Sequence, residues 1–203
     1  MNTNLPSFKN IEVPSKKVLA RLGYAHGITS VDDGIREMIL DEMELAKKLI
    51  VPKQVAASSV LKLMPPAAVS LNELSINSRD LFKLFSNCVT VFGFAVTIGT
   101  HLEEKRDAYL KDKETTRALI LDAVGSESVD YLAELTNQQI TGDSARDGLK
   151  TTRRFSPGYG DWPVSGQQEL LKWLGADSIG ISLTPAFQMI PEKSVSAILG
   201  VYK

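Results

Sequence analysis

One cysteine, two histidines and no long apolar run mark what this chain of 203 residues does without. The lone Cys88 excludes an intrachain disulfide. It lies in the run "CVTVFGFAVTIG", where a small buried hydrophobe is expected rather than a reactive thiol. His26 and His101 stand far apart and have no companion cysteines, so no metal site is expected and each histidine belongs on the surface or at a helix cap. The longest apolar stretch falls short of the ~20 residues that a membrane-spanning helix needs. The opening "MNTNLPSFKNIEVP" carries no apolar targeting core, so a cytoplasmic location with no membrane partner is expected. An excess of one charge is missing too. With 23 basic and 24 acidic residues the net charge is −1, which argues against binding along a nucleic-acid backbone.

Several catalytic signatures are equally absent. There is no GxGxxG after a strand, no GxxxxGK[ST] and no GxSxG, hence no dinucleotide fingerprint, phosphate loop or nucleophile elbow. "PGYGDW" contains G-x-G, but Asp161 and Pro163 follow where a helix should begin. No residue stands out as a nucleophile, and no catalytic residue is assigned. Chemistry performed here need take no acid, base or nucleophile from the protein.

What is present is an ordinary globular balance, 43% hydrophobic and 23% charged, enough for one sizeable core. "PSKKVLARLGY" reads as a short helix ended by Gly23. "TSVDDGIREMILDEMELAKKLIVP" reads as a longer one capped by Ser30, with Ile35, Ile39, Met43, Ala46 and Ile50 on one face. From Gln54 to Gly99 the pattern changes to strands, "VAASSVLKLM", "AAVSLNEL" and "CVTVFGFAVTIG", with "SRDLFKLFSN" a short helix among them, and one sheet is expected. Thr100 with Glu103 has capping-box spacing, and "HLEEKRDAYLK" and "ETTRALILDAVGSESVDYLAELTNQQI" read as two helices. Gly125 inside the second suggests close packing or binding there. Ser165 with Gln168 repeats the capping-box spacing before "GQQELLKWL", which Gly175 ends. "SIGISLT" and "SVSAILGVY" read as two more strands. Strands and helices come in runs, so the expected class is α+β: a mainly antiparallel twisted sheet flanked by helices.

The stretch richest in side-chain chemistry is "RRFSPGYGDWPVSGQ", Arg153 to Gln167. Arg154 offers a planar fork of donors that matches a carboxylate. Gly158 and Gly160 leave the backbone approachable, Pro157 and Pro163 stiffen it, and Tyr159 and Trp162 supply flat faces. This composition suits a zwitterionic ligand that carries a ring. It suits equally a tight turn whose tyrosine and tryptophan cover the core.

"RFSPGYGDWP", Gln167 and the distal "MIPEKSVSAILG" together resemble the activation domain of cobalamin-dependent methionine synthase. Arg154, Gly158, Tyr159 and Pro163 match the first motif of that family; Met189, Pro191, Ser194, Val195 and Ser196 match the second. Weaker likeness extends through "FAVTIGTHLEE" and "LDAVGSESVDYLAEL", so that residues 80 to 203 are covered. One continuous domain is expected, with an N-terminal helical and strand lobe over 1–80 and the activation-domain-like core over 81–203.

The resemblance implies S-adenosylmethionine in a shallow groove, bound through Arg154 at its carboxylate and lined by Ser156, Gly158 and Tyr159. The helical position at which the family carries an acidic contact falls at Ser126 here, which makes the neighbouring Glu127 the candidate acid. It also implies direct methyl transfer from the sulfonium to a reduced cobalamin, for which positioning alone can supply roughly 7–11 kcal/mol. Neither histidine lies in the Asp-x-His-x-x-Gly signature of corrinoid domains, so cobalamin is expected on a partner protein. On this reading the chain is a reactivation subunit of a separately encoded methionine synthase, supporting reductive methylation and methionine biosynthesis, with a flavodoxin or ferredoxin-type electron donor. Two other readings stay open: a reactivation partner of another corrinoid methyltransferase protein, and a scaffold that keeps the fold without the ligand.

Overall fold

The computed structural model describes residues 11, 13–24, 30–72 and 74–203. His26 lies outside the described residues.

Four antiparallel strands form the main sheet: β1 (Lys53–Val60), β5 (Thr90–Thr97), β9 (Ser194–Tyr202) and the two-residue edge β6 (Lys150–Thr151). β5 pairs with β1 from Thr97 opposite Lys53 to Thr90 opposite Val60, and on its other side with β9 from Thr97 opposite Ser194 to Thr90 opposite Val201. Alternate residues of these central strands face opposite ways. Phe94, Val96, Ala197 and Leu199 enter one core, while Val91, Ala95 and Ile198 enter a second. Burial on both faces explains why "VFGFAVT" reads as one apolar run instead of an alternation.

The first core is closed by α1 (Ser15–Arg21), α2 (Asp33–Leu49), α4 (His101–Lys111) and the long α5 (Thr115–Arg146). Ile39 and Ala46 of the α2 stripe are buried as the spacing predicts, and Glu42 lies fully buried among them. Its carboxylate accepts hydrogen bonds from Arg117 Nη1 at 2.6 Å and Tyr109 Oη at 3.1 Å. A charge can be buried there because α4 and α5 bring partners that the helix's own periodicity does not reveal.

The second core is closed by a separate meander of β2 (Lys62–Met64), β3 (Ala68–Leu71) and β4 (Leu74–Asn77), with α3 (Arg79–Leu84) and α6 (Gln167–Leu174). The expectation of a single sheet is therefore corrected. The meander forms its own three-stranded sheet, and β7 (Ser182–Leu183) and β8 (Met189–Ile190) form a two-stranded one. The separation follows from the break after Val60, where pairing with β5 ends at Thr90 and β2 turns to pair with β3 instead.

Three helix starts also differ from the spacing-based expectation. Asp32, not Ser30, caps α2 through its carboxylate and the Gly34 N–H at 2.9 Å. Thr100 caps α4 without a side-chain bond to the backbone; its hydroxyl donates to Glu104, and Glu103 instead accepts from the Lys193 backbone N–H at 2.8 Å. α6 begins at Gln167 after a 3₁₀ turn over Val164–Gly166, so Ser165 does not cap it. At α4 a tertiary contact takes the Glu103 carboxylate, and at α6 a preceding turn takes Ser165, so neither serves the cap that local spacing assigns to it. Gly175 does end α6 in the left-handed conformation, at φ 65°.

Candidate functional site

The loop that follows β6 is held to the sheet by a strand-like contact. Phe155 and Ile198 exchange both backbone hydrogen bonds at 2.8 Å, and the phenyl ring is buried in the second core. Farther along, the Gly158 N–H donates to Trp162 O at 2.8 Å and the Trp162 N–H donates to Tyr159 O at 3.1 Å. The chain thus closes on itself over the buried Trp162 indole, while Tyr159 is 66% exposed. The two aromatics have parted company. Trp162 covers core, as a plain turn would have it; Tyr159 sets its ring edge-to-face against Phe155, centroids 6.5 Å apart, and leaves the rest of its surface open.

Beside this loop lies an open cleft of about 560 Å³. Arg153 to Pro157, Tyr159 and Gly160 form one part of its wall, and Gln167, Met189 and Ser194 to Ser196 form another. Both sequence motifs therefore meet at one concavity although they are far apart in the chain. Ser156 Oγ donates to Ser196 O at 2.7 Å, and Gln167 Nε2 donates to Ser196 Oγ at 2.6 Å. These bonds fasten the loop and α6 to the start of β9.

The sequence-predicted residues are not placed alike. Arg154 and Tyr159 line the cleft. The Arg154 guanidinium is one-third exposed, with Nη1 3.5 Å from a Glu134 carboxylate oxygen. Ser156 lines the cleft as well, with its hydroxyl committed to β9. Gly158 is not among the lining residues; it supplies the turn, at φ +93°. Glu127 stands outside the cleft lining, where its carboxylate accepts from Arg21 Nε of α1 at 2.6 Å.

Acids that sequence reasoning did not single out are present. Asp130, one helical turn beyond Ser126, lines the cleft and pairs with Arg21 Nη2 at 2.7 Å. Asp80 of α3 lines it from another side. No motif pointed to Asp80, because "SRDLFKLF" reads only as a short amphipathic helix. What brings it in is Asp161 of the loop, whose carboxylate accepts from the Ser78 hydroxyl, from the Arg79 N–H at 2.7 Å and from the Asp80 N–H at 3.4 Å. The Ser78 hydroxyl and these backbone N–H groups hold the Asp161 carboxyl below its usual pKa.

Behind the Ser194 wall, Lys193 is almost fully buried. Its Nζ lies 2.7 Å from Asp122 and 3.0 Å from the Ser126 hydroxyl, and its Cε packs under Gly125. Arg106 joins the group, 3.0 Å from Asp122 and 2.7 Å from Glu192. Burial opposes ionisation of Asp122, but the Lys193 and Arg106 donors outweigh it and hold its pKa below the ordinary range. The Arg106 hydrogen bond does the same for Glu192. The cluster anchors the segment that carries the second motif. Gly125 is explained by packing: a Cβ there would meet Leu102 at 2.7 Å.

Among the described residues no group of three or more His, Cys, Asp or Glu could hold a metal ion, and no helix is long and apolar enough to cross a membrane. Cys88 is buried, and burial raises its thiol pKa.

Fold and site together define a mixed α+β domain, its main antiparallel sheet covered on both faces, with a loop-walled cleft beside that sheet. Residues 83–202 match the family model described as the activation domain of vitamin B12 dependent methionine synthase, and the chain belongs to that family. The structure is also similar to that of the MetH reactivation domain bound to AdoHcy, with a TM-score of 0.69 at 14% identity over 92% of this chain and 74% of that one. At that identity the likeness speaks for the fold. No curated protein matches the chain.

Proposed function

We propose that the cleft binds S-adenosylmethionine and that the chain supports reductive methylation of oxidised cobalamin carried by a separate methionine synthase protein. The observation that carries this reading is the convergence of both family motifs on one cleft, with Arg154, Ser156 and Tyr159 beside Ser194 to Ser196. The solved relative holds AdoHcy, the demethylated form of the same ligand.

Each wall residue has a task in this reading. Arg154 meets the ligand carboxylate with its paired donors. Tyr159 offers an exposed ring face. Gly158 and Gly160 permit the turn that presents backbone to the ligand, and Ser156 fixes that turn to β9. Bound in this way, the sulfonium supplies a methyl group, and the protein contributes orientation and no proton. A flavodoxin or ferredoxin-type protein would provide the electrons.

A reconstitution tests the proposal. The chain is added to oxidised, corrinoid-loaded methionine synthase that lacks its own activation domain, together with a reductant and S-adenosylmethionine, and methylcobalamin is followed by its absorbance. The account expects methylation that depends on the chain and falls at least tenfold with Arg154→Ala. Methylation that is equally fast without the chain, or unchanged in the variant, overturns it; the second outcome favours a ligand-free scaffold.

A further inference from the structure

A ligand with a carboxylate, an ammonium, a ring and a sugar presents donors at more than one place, and the cleft has acids on more than one element. Asp130 of the cleft lining belongs to α5, as does Glu134, which stands outside the lining. Glu134 touches the Arg154 guanidinium, and Asp130 is held by Arg21. The α-ammonium of an amino acid shares a carbon with its carboxylate, so a carboxylate seated on Arg154 in place of Glu134 leaves Asp130 as the α5 acid of the cleft on the ammonium side. Asp80 is placed differently. It comes from α3, and its Oδ2 presses against the loop backbone at Gly160, where an added Cβ would fall 2.2 Å from Oδ2 and 3.1 Å from the Phe155 ring. Gly160 is thus bare for a reason: at φ +52° a side chain would be strained, and it would also displace the Asp80 carboxylate.

Among the described residues the Asp80 carboxylate has no hydrogen-bond or ion-pair partner, while two neighbouring side chains are spent on fixing its backbone. Asp161 holds the backbone N–H groups of Arg79 and Asp80, and Ser78 holds the Leu81 N–H at 3.0 Å. A carboxylate presented on a fastened helix, lining a cleft and set against Gly160, is an acceptor waiting for two donors. A vicinal diol satisfies it, since two hydroxyls can bond to the two carboxylate oxygens and each such charge-assisted bond is stronger than a neutral one.

We infer that Asp80 is the ribose-recognising residue of the cleft, accepting hydrogen bonds from the 2′- and 3′-hydroxyls of the adenosyl group. Asp161 is the positioning residue that aims it. The inference rests on the ligand reading proposed above, and its test separates the two.

Calorimetric titration of the full chain with AdoHcy and with its 2′-deoxy analogue reads the diol contact directly. The wild-type chain should bind AdoHcy roughly ten- to a hundredfold more tightly than the deoxy analogue. Asp80→Asn should weaken AdoHcy binding by a similar factor and should no longer discriminate between the two ligands. If the wild-type chain binds both equally, Asp80 is not a diol contact, whatever the variant does. An Asp80→Asn chain that still discriminates as the wild type does also overturns the assignment. If the wild-type chain binds neither ligand, the ligand reading itself fails and takes this inference with it.

Discussion

Glu134 stands 3.5 Å from the guanidinium of Arg154, the residue on which the ligand reading turns. The pair is partly exposed, with 34% and 46% of the two side chains open to solvent. Such a contact contributes at most about 1 kcal/mol. A ligand carboxylate can therefore displace Glu134 at small cost. Glu134→Gln should leave folding intact and tighten binding of a carboxylate ligand by no more than about fivefold, as measured by calorimetry. Loss of binding in this variant would mean that Glu134 itself holds the ligand.

Trp162 and Tyr159 share one short loop but differ in burial, 3% against 66% exposed. Trp162→Ala should destabilise the fold by about 3–5 kcal/mol, the usual cost of emptying a large aromatic site. Tyr159→Ala should change stability by less than about 0.5 kcal/mol and weaken ligand binding several-fold. Urea unfolding and titration, run on both variants, separate the two roles.

Asp161 joins the loop to α3 through the Ser78 hydroxyl and the Arg79 N–H. Removing that acceptor in Asp161→Ala should cost about 1 kcal/mol, as the loss of a helix-start acceptor usually does. The same change should loosen Asp80 and so weaken binding, although Asp161 is not among the cleft residues. Amide exchange at Arg79 and Asp80 reports the loosening directly.

The Arg106, Asp122, Glu192 and Lys193 cluster gives the fold an acid-sensitive joint. Asp122 and Glu192 have folded pKa values below the unfolded values of roughly 4. Their contribution is therefore complete above that range and is lost as pH falls through the folded values. Glu192→Gln should fall below the wild type in stability as pH rises through the unfolded value of roughly 4, and the gap should narrow as pH falls below it. A difference that stays constant across this range would show that ionisation of Glu192 is not involved.

Sequence showed what depends on local pattern and on the two motifs. The helices around "KKVLAR" and "ELLKWL" were legible, and so were the β5 and β9 strands and the α+β class. So was the place of Arg154 at a cleft, because a guanidinium beside glycines and an aromatic is unusual in a simple connector. The division into three sheets was hidden, since nothing in "VLKLM" reveals that pairing with β5 stops at Val60. The burial of Glu42 was hidden as well, because its partners Arg117 and Tyr109 lie far along the chain. Glu127 looked available as a ligand acid until α1 brought Arg21 onto it. Asp80 carried no signal at all: its place in the cleft is set by Asp161, some eighty residues later.

The most direct test is a crystal structure of this chain with AdoHcy. The account predicts the ligand in the cleft between Tyr159 and Ser196, its carboxylate within hydrogen-bonding distance of the Arg154 guanidinium and Glu134 displaced from that contact. A ligand bound elsewhere, or one that leaves Arg154 on Glu134, contradicts it.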